Sequence, residues 1–397
     1  MNVVRSTVPS LLLSFLSVCA MASPEPLCVI KPSAMPRSWQ PSPELVTTLS
    51  EARWSADEAK DAEYAVQRGL DELTDYFSHR PSTVMHLGED AVEPFLDATY
   101  SAANMLTLQV AARDEGRRVL TALLEPSVRR QPESATCQEY SRLVTFTIYS
   151  HALLPASDVR IPHMVALTNA AYHACGSLSV AMGYDYRQKL AAQELSTDDV
   201  WDLLMWSITL TDALVVPDLD LPDGSRDLPP ALWRFLADYP FVGARAYQKG
   251  ASDNRFYDTA YLVTHIAYLP TGYGRHPIYI ADAPNVYHFL RENFYLVLQM
   301  DELDLVAEFV DLFRQYGCTE RTDLQVRDGT RQLLKLFHAS DDHWMSYRGP
   351  HEPADISEYD TVHKAWTGMA GVRVRVPEAA KPGTYGGVVR QWLGYPQ

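Results

Sequence analysis

Between Ala56 and His79 the apolar residues Ala62, Val66, Leu70, Leu73 and Phe77 recur every three or four positions, with charges between them. That spacing predicts an amphipathic surface helix, closed by Arg80-Pro81 because proline cannot continue the helical hydrogen-bond ladder. Three later segments read differently. Met164–Met182 carries no Asp, Glu, Lys or Arg, Trp201–Val216 carries only Asp202 and Asp212, and Tyr257–Leu269 carries only Asp258. A helix that is apolar on every side has to be covered on every side. These segments alternate with charged helices expected at 56–79, 184–195 and 302–316. Buried helices alternating with amphipathic ones predict an all-α fold, an α/α toroid-like double layer whose inner helices ring a central cleft. An irregular multi-helix bundle is the alternative. Only Val372-Arg373-Val374-Arg375-Val376 alternates with period two, which reads as a short strand.

The ends of the chain carry other signals. Arg5, the uncharged Leu-rich run Leu11–Ala20 and the A-x-A sequence Ala20-Met21-Ala22 before Ser23 have the form of a cleaved signal peptide over 1–22. The competing readings are a retained anchor and a lipoprotein, since Leu16-Ser17-Val18-Cys19 approaches a lipobox with Val18 in place of a small residue. Residues 23–54 form a Pro-rich leader, 55–370 a single helical domain and 371–397 an extended, Gly-rich tail. No later segment has the length of uncharged apolar sequence that a membrane span needs, so the exported chain, secreted or periplasmic, is expected to be soluble.

Composition narrows the partners. Of 397 residues 47% are apolar, enough for a large core, and the formal charge of −16 argues against a nucleic-acid partner, which needs clustered Lys and Arg. Arg113, Arg117, Arg118, Arg129 and Arg130 are the nearest thing to such a cluster and are expected to balance local carboxylates. Export implies an oxidising compartment, where Cys28, Cys137, Cys175 and Cys318 allow up to two disulfides. Their wide spacing excludes a CxxC-type site, and for Cys175 a buried free thiol and a bridge stay open.

Chemistry-bearing residues fall in three groups. Tyr257, Tyr261, His265 and Tyr268 share one face of a helix, with Tyr273 in the following Gly-containing loop. An imidazole among phenols suits general acid–base work; the competing reading is a core histidine satisfied by one hydroxyl. The stretch 338–363 holds His338, His343, His351 and His363 among six carboxylates, a composition that suits a divalent cation or an acidic solvated loop, without a fixed ligand spacing. Within it Asp360 and His363 stand at i and i+3, placed for the carboxylate to orient the imidazole, with Trp366 on the next turn. The third group, Asp301, Asp304, Glu308 and Asp311, forms an acidic stripe opposite Leu303, Val306, Val310 and Phe313, and reads as the solvated face of an outer helix. Leu143-Val144-Thr145 with Tyr149 recurs as Leu262-Val263-Thr264 with Tyr268, a hint of internal duplication.

The segment Tyr261-x-x-Thr264-His265, running on to Tyr268 and Gly274, together with Asp301-x-x-Asp304-Leu305-x-x-Glu308, resembles a bacterial protein family of unknown function. That resemblance implies a helical fold and no particular activity. At the level of helix alternation the chain also resembles α/α-toroid enzymes, among them polysaccharide lyases, glycoside hydrolases and terpene cyclases. It has neither the Asp run of the cyclases nor the Cys/His zinc set of lanthionine synthetases.

These readings converge on an exported enzyme of lyase or hydrolase type. His265, His363, Tyr261, Tyr268 and Asp360 are its candidate catalytic groups, and Tyr257, Tyr273 and Trp366 its candidate substrate contacts. The alternative is a non-catalytic exported protein that binds a small molecule or glycan. Cofactor and metal stay unknown. N-terminal sequencing of the exported protein is expected to return a chain beginning at Ser23; an intact 1–22 segment would contradict the A-x-A reading.

Overall fold

The computed structural model describes residues 54–99, 106–191, 195–247, 255–276, 278–280, 282–350, 352–374, 389 and 391–394. The expected signal segment and residues 23–53 of the leader lie outside them. The fold is all-α: sixteen helices and no strand among the described residues. None of these helices is long and apolar enough to cross a membrane.

In chain order the helices are α1 (Ala56–His79), α2 (Pro81–Leu87), α3 (Glu93–Ala98), α4 (Leu106–Val128), α5 (Tyr140–Leu153), α6 (Arg160–Cys175), α7 (Leu178–Met182) and α8 (Tyr186–Ala191). They continue as α9 (Thr197–Ala213), α10 (Leu228–Ala237), α11 (Arg255–Ile266), α12 (Tyr268–Thr271), α13 (Pro284–Met300), α14 (Leu303–Gln315), α15 (Leu324–Ala339) and α16 (Glu358–Val372). Local sequence sets many of the boundaries. Ser55, Ser196 and Ser357 each accept the N–H of the residue three positions on, whose carboxylate (Glu58, Asp199, Asp360) accepts the serine N–H in return. Such reciprocal caps satisfy donors that the first turn leaves without partners. Gly176 ends α6 in the left-handed conformation, so the apolar run 164–182 is two helices rather than one.

Six helices close a ring: α3 packs on α5, α5 on α9, α9 on α11, α11 on α14, α14 on α16, and α16 back on α3. Outside it α4 covers α3 and α5, α6 covers α5, α10 covers α9, α13 covers α11 and α14, α15 covers α14 and α16, and α1 covers α16. α14 and α16 approach closely. A Cβ on Gly371 would lie 2.6 Å from Ala307 Cβ and 2.7 Å from its Cα, so only glycine permits that approach.

Two expectations are corrected here. The 302–316 helix is not an outer one: every residue of α14 except Asp304 is buried, including Glu308, Asp311 and Arg314. By contrast α6, expected deep inside, buries only one face, through Met164, Val165, Leu167, Thr168, Ala171 and Cys175. The strand expected over 372–376 is absent from the described residues; Val372 ends α16, and Arg373 is wholly buried. Of the tail, 391–393 are helical, and the Trp392 indole N–H donates to the Arg226 carbonyl at 2.7 Å. Cys137 and Cys175 form a disulfide that joins the start of α5 to the end of α6, worth up to about 4 kcal/mol for a loop of this length. Cys318 is disulfide-bonded as well.

Arg373 fastens the ring shut. Its guanidinium donates to the Asp97 carboxylate at 2.7 Å and to the Asp97 carbonyl at 2.6 Å, and both side chains are buried. Removing one partner leaves a buried charge uncompensated. Asp97→Ala is therefore expected to cost about 3–5 kcal/mol in chemical denaturation; a loss below about 1 kcal/mol would show that the seam is held elsewhere.

Candidate active site

The inner ring encloses a cavity of about 320 Å³. Its lining includes seven carboxyl side chains: Glu89 and Asp90 on the 3-10 turn Gly88–Ala91, Glu93 and Asp97 on α3, Asp212 on α9, and Glu308 and Asp311 on α14. No Lys or Arg is among the lining residues. Aromatic rings form much of the remaining wall. Tyr268 stacks on Tyr273 with ring centres 5.0 Å apart, Tyr359 stacks on His363 at 5.1 Å, and Trp201 lies against His265 at 4.5 Å.

Five of the sequence candidates meet in this cavity: His265, His363, Tyr268, Tyr273 and Trp366. Tyr257 and Asp360 line a neighbouring chamber of about 280 Å³, which shares His363 with the first. The Tyr261 hydroxyl donates to Asp304 Oδ2 at 2.5 Å and lies 3.3 Å from the Tyr257 hydroxyl.

The expected partners of the two imidazoles differ from those found. His265 Nδ1 donates to the carbonyl of Tyr261 at 3.0 Å, not to a phenol, which leaves Nε2 unprotonated. Asp360 does not orient His363. Its carboxylate is held by the Ser357 hydroxyl at 2.7 Å at the start of α16, and the carboxylate nearest His363 Nδ1 is Asp304, at 3.8 Å. Burial pushes His265 down to about 4, and it lowers His363 against the charges of Asp304 and Asp360. Both imidazoles are therefore neutral at pH 7. His265 is a weak base there and has no proton to give as an acid.

The histidine-rich stretch does not converge on one point. His338 lies between Asp61 at 2.9 Å and Asp342 at 2.6 Å, and His343 pairs with Glu72 at 2.8 Å, both away from the cavity. His351 lies outside the described residues. No three His, Cys, Asp or Glu side chains among the described residues are grouped closely enough to hold a metal ion. Most of the arginine cluster is satisfied locally: Arg117 by Asp114, Arg118 by Glu115, Arg129 by Glu125 and Arg130 by Glu139.

The groups that sequence reading missed are carboxyls. Glu93 accepts the Tyr149 hydroxyl, and burial with the charges of Asp90, Glu89 and Asp97 pushes it up to about 8. Burial and Glu89 raise Asp90 to about 6. Glu308, within 2.6 Å of the Thr264 hydroxyl, is raised well above the carboxylate range by burial and by Asp304. Asp212 is different: Arg275 donates to its Oδ1 at 2.6 Å. Glu93, Asp212, Tyr149, Tyr273 and Trp366 also line a small recess opening beside the main cavity, and the Tyr273 phenol is raised by burial and then by the charges of Glu93 and Asp212. Tyr273 itself adopts a left-handed backbone conformation, with φ 56°. A glutamic acid raised to about 8 and an ion-paired aspartate thus line the same recess.

Compared with protein-family models, curated proteins and solved structures, the chain matches none.

His265 makes the site's burial measurable. Its folded value of about 4 lies below its ordinary 6.5, so the unfolded chain takes up the proton first and stability falls as pH drops from 6.5 toward 4. His265→Gln removes that titration and is expected to flatten the acid limb of the melting curve by up to about 3 kcal/mol. An unchanged limb would show that the imidazole is solvated in the folded protein.

Proposed function

We propose that the chain is an exported α/α-toroid hydrolase of glycosidic bonds, with Glu93 as general acid and Asp212 as the carboxylate partner. The observation that carries this is Glu93: a carboxyl bonded to Tyr149 and raised to about 8, lining the same recess as ion-paired Asp212. Glycoside hydrolysis needs such a pair, one carboxyl to protonate the leaving oxygen and one carboxylate to activate water or attack carbon. Rings that stack on sugar faces support the substrate class: Trp201, Trp366, Tyr268 and Tyr273 all face the same space. The closed sequence of contacts α3–α5–α9–α11–α14–α16, with most other long helices outside it, supports the toroid. The Cys137–Cys175 disulfide supports export to an oxidising compartment.

Between the two reaction types expected from the sequence, charge favours the hydrolase. A lyase acting on acidic polymers must bring uronates to the site, and the main cavity, with seven carboxyls and no Lys or Arg in its lining and Arg275 of the adjoining recess already paired to Asp212, repels them. His265 and His363 then serve as neutral hydrogen-bonding groups, and proton donation moves to Glu93.

The test is release of reducing ends from soluble glycans by the full exported chain. Activity is expected to fall as pH rises through about 8, because the acid must hold its proton. Glu93→Gln keeps the shape of the protonated carboxyl and is expected to lower turnover by roughly 10²–10⁴-fold, with melting temperature little changed. A variant that keeps full activity overturns the assignment of the acid. A folded wild-type chain that binds glycans and cleaves none favours the non-catalytic binding protein.

A further inference from the structure

The seven carboxyls of the cavity divide into three sets, of which Glu308 and Asp311 take hydrogen bonds from Thr264 and Gln315. Asp97 and Asp212 each face an arginine, Arg373 and Arg275. Glu89, Asp90 and Glu93 follow one another across the 3-10 turn and the start of α3. The groups that act on Glu93 are the Tyr149 hydroxyl and three further carboxyls, and the charge acting on Asp90 is that of Glu89. Glu89 and Asp90 stand side by side on one wall of an enclosed space whose lining holds no Lys or Arg, and two acids so placed are costly unless something positive joins them.

We propose that the central cavity takes a glycan bearing free amino groups, an oligomer of hexosamine units, and that Glu89 and Asp90 receive its ammonium group. The inference rests on the glycan reading above and adds the substrate class. The ammonium of such a sugar supplies the missing positive charge, and each carboxyl offers it charge-assisted hydrogen bonds. The aromatic wall serves the same ligand twice, because a π face attracts both a sugar ring and a cation. The adjoining chamber of about 280 Å³ is also acidic and aromatic, with Glu302, Asp304 and Asp360 beside Tyr257 and Tyr347, its one lysine, Lys364, paired to Glu352, and it meets the main cavity at His363. It offers the next sugar of the chain a second acidic, aromatic-walled space.

Binding tests this apart from turnover. The full chain carrying Glu93→Gln, whose amide mimics the protonated acid, is titrated calorimetrically at low salt with tetramers of glucosamine, N-acetylglucosamine and galacturonic acid. The glucosamine tetramer is expected to bind at least about tenfold tighter than the acetylated one, with the advantage shrinking as salt rises, and the galacturonate tetramer is expected not to bind. Adding Glu89→Gln and Asp90→Asn should reduce that preference to about threefold or less; if that variant does not fold, the salt series alone decides. Equal or tighter binding of the acetylated tetramer, or any binding of galacturonate, overturns the proposal. Cleavage of neutral glycans by the wild type without amine preference sinks this inference and leaves the hydrolase. Amine-selective binding with no cleavage of any glycan sinks the hydrolase and leaves this inference.

Discussion

A ring of helices encloses a cavity only if its first and last members meet, and here that meeting is one buried ion pair. Asp97 on α3 takes two bonds from Arg373 at the end of α16, and its second carboxylate oxygen takes the Trp366 indole N–H at 3.2 Å. One side chain thus closes the seam and fixes a ring that faces the cavity. The pair is costly to desolvate, and its geometry compensates by satisfying the carboxylate on both oxygens. Glycines at 368 and 371 let α16 settle against Trp344 and Ala307, and Trp344 is itself anchored through its indole to the Ala65 carbonyl at 2.8 Å. Closure therefore depends on α16 from both sides: packing on its outer and α14 faces, and an ion pair at its end.

What the closed ring then encloses is electrostatically unfavourable. Glu93 is pushed to the protonated side of neutrality, Glu308 is raised well above the carboxylate range, and His265 and His363 are pushed to the deprotonated side. Burial is the largest cause in all four cases, and it acts in opposite directions because the charged form is disfavoured whichever sign it carries. Stability is given up there for groups whose proton occupancy differs from that in water, as a site that moves protons requires.

Much of the scaffold was legible in the sequence because it rests on short-range physics. The 56–79 helix, with Ser55 as cap, follows from period and capping chemistry alone. His265, Tyr268 and Tyr273 were legible as neighbours because they lie within nine residues, and His363 with Trp366 because they share one helix. The error over 302–316 has a definite cause. A carboxylate stripe means that one face of a helix is polar; periodicity cannot say whether that face meets bulk water or an enclosed cavity. Glu308 and Asp311 face the cavity, and Arg314 is buried against Glu320, Thr330 and the Gly371 carbonyl. Asp360 was misassigned because i, i+3 proximity competes with capping, and capping takes the carboxylate away.

Glu93 was missed for a different reason. Glu-Asp-Ala-Val-Glu-Pro at 89–94 reads as a turn leading into a short helix, and acids near a helix start are ordinary. Its chemistry comes from burial and from Tyr149, some fifty positions away, with Asp90, Glu89 and Asp97 adding their charge. One sequence signal did point there. The Leu-Val-Thr-x-x-x-Tyr pattern occurs twice, on α5 and around the α11–α12 junction, both facing the cavity, and its tyrosines, Tyr149 and Tyr268, both line the wall. The first copy bonds Glu93 through its tyrosine, and the second bonds Glu308 through its threonine. Each copy of the pattern therefore carries a hydroxyl that holds a raised carboxyl. The recurring pattern falls where two raised carboxyls are held inside the ring, an arrangement that neither period nor composition expresses.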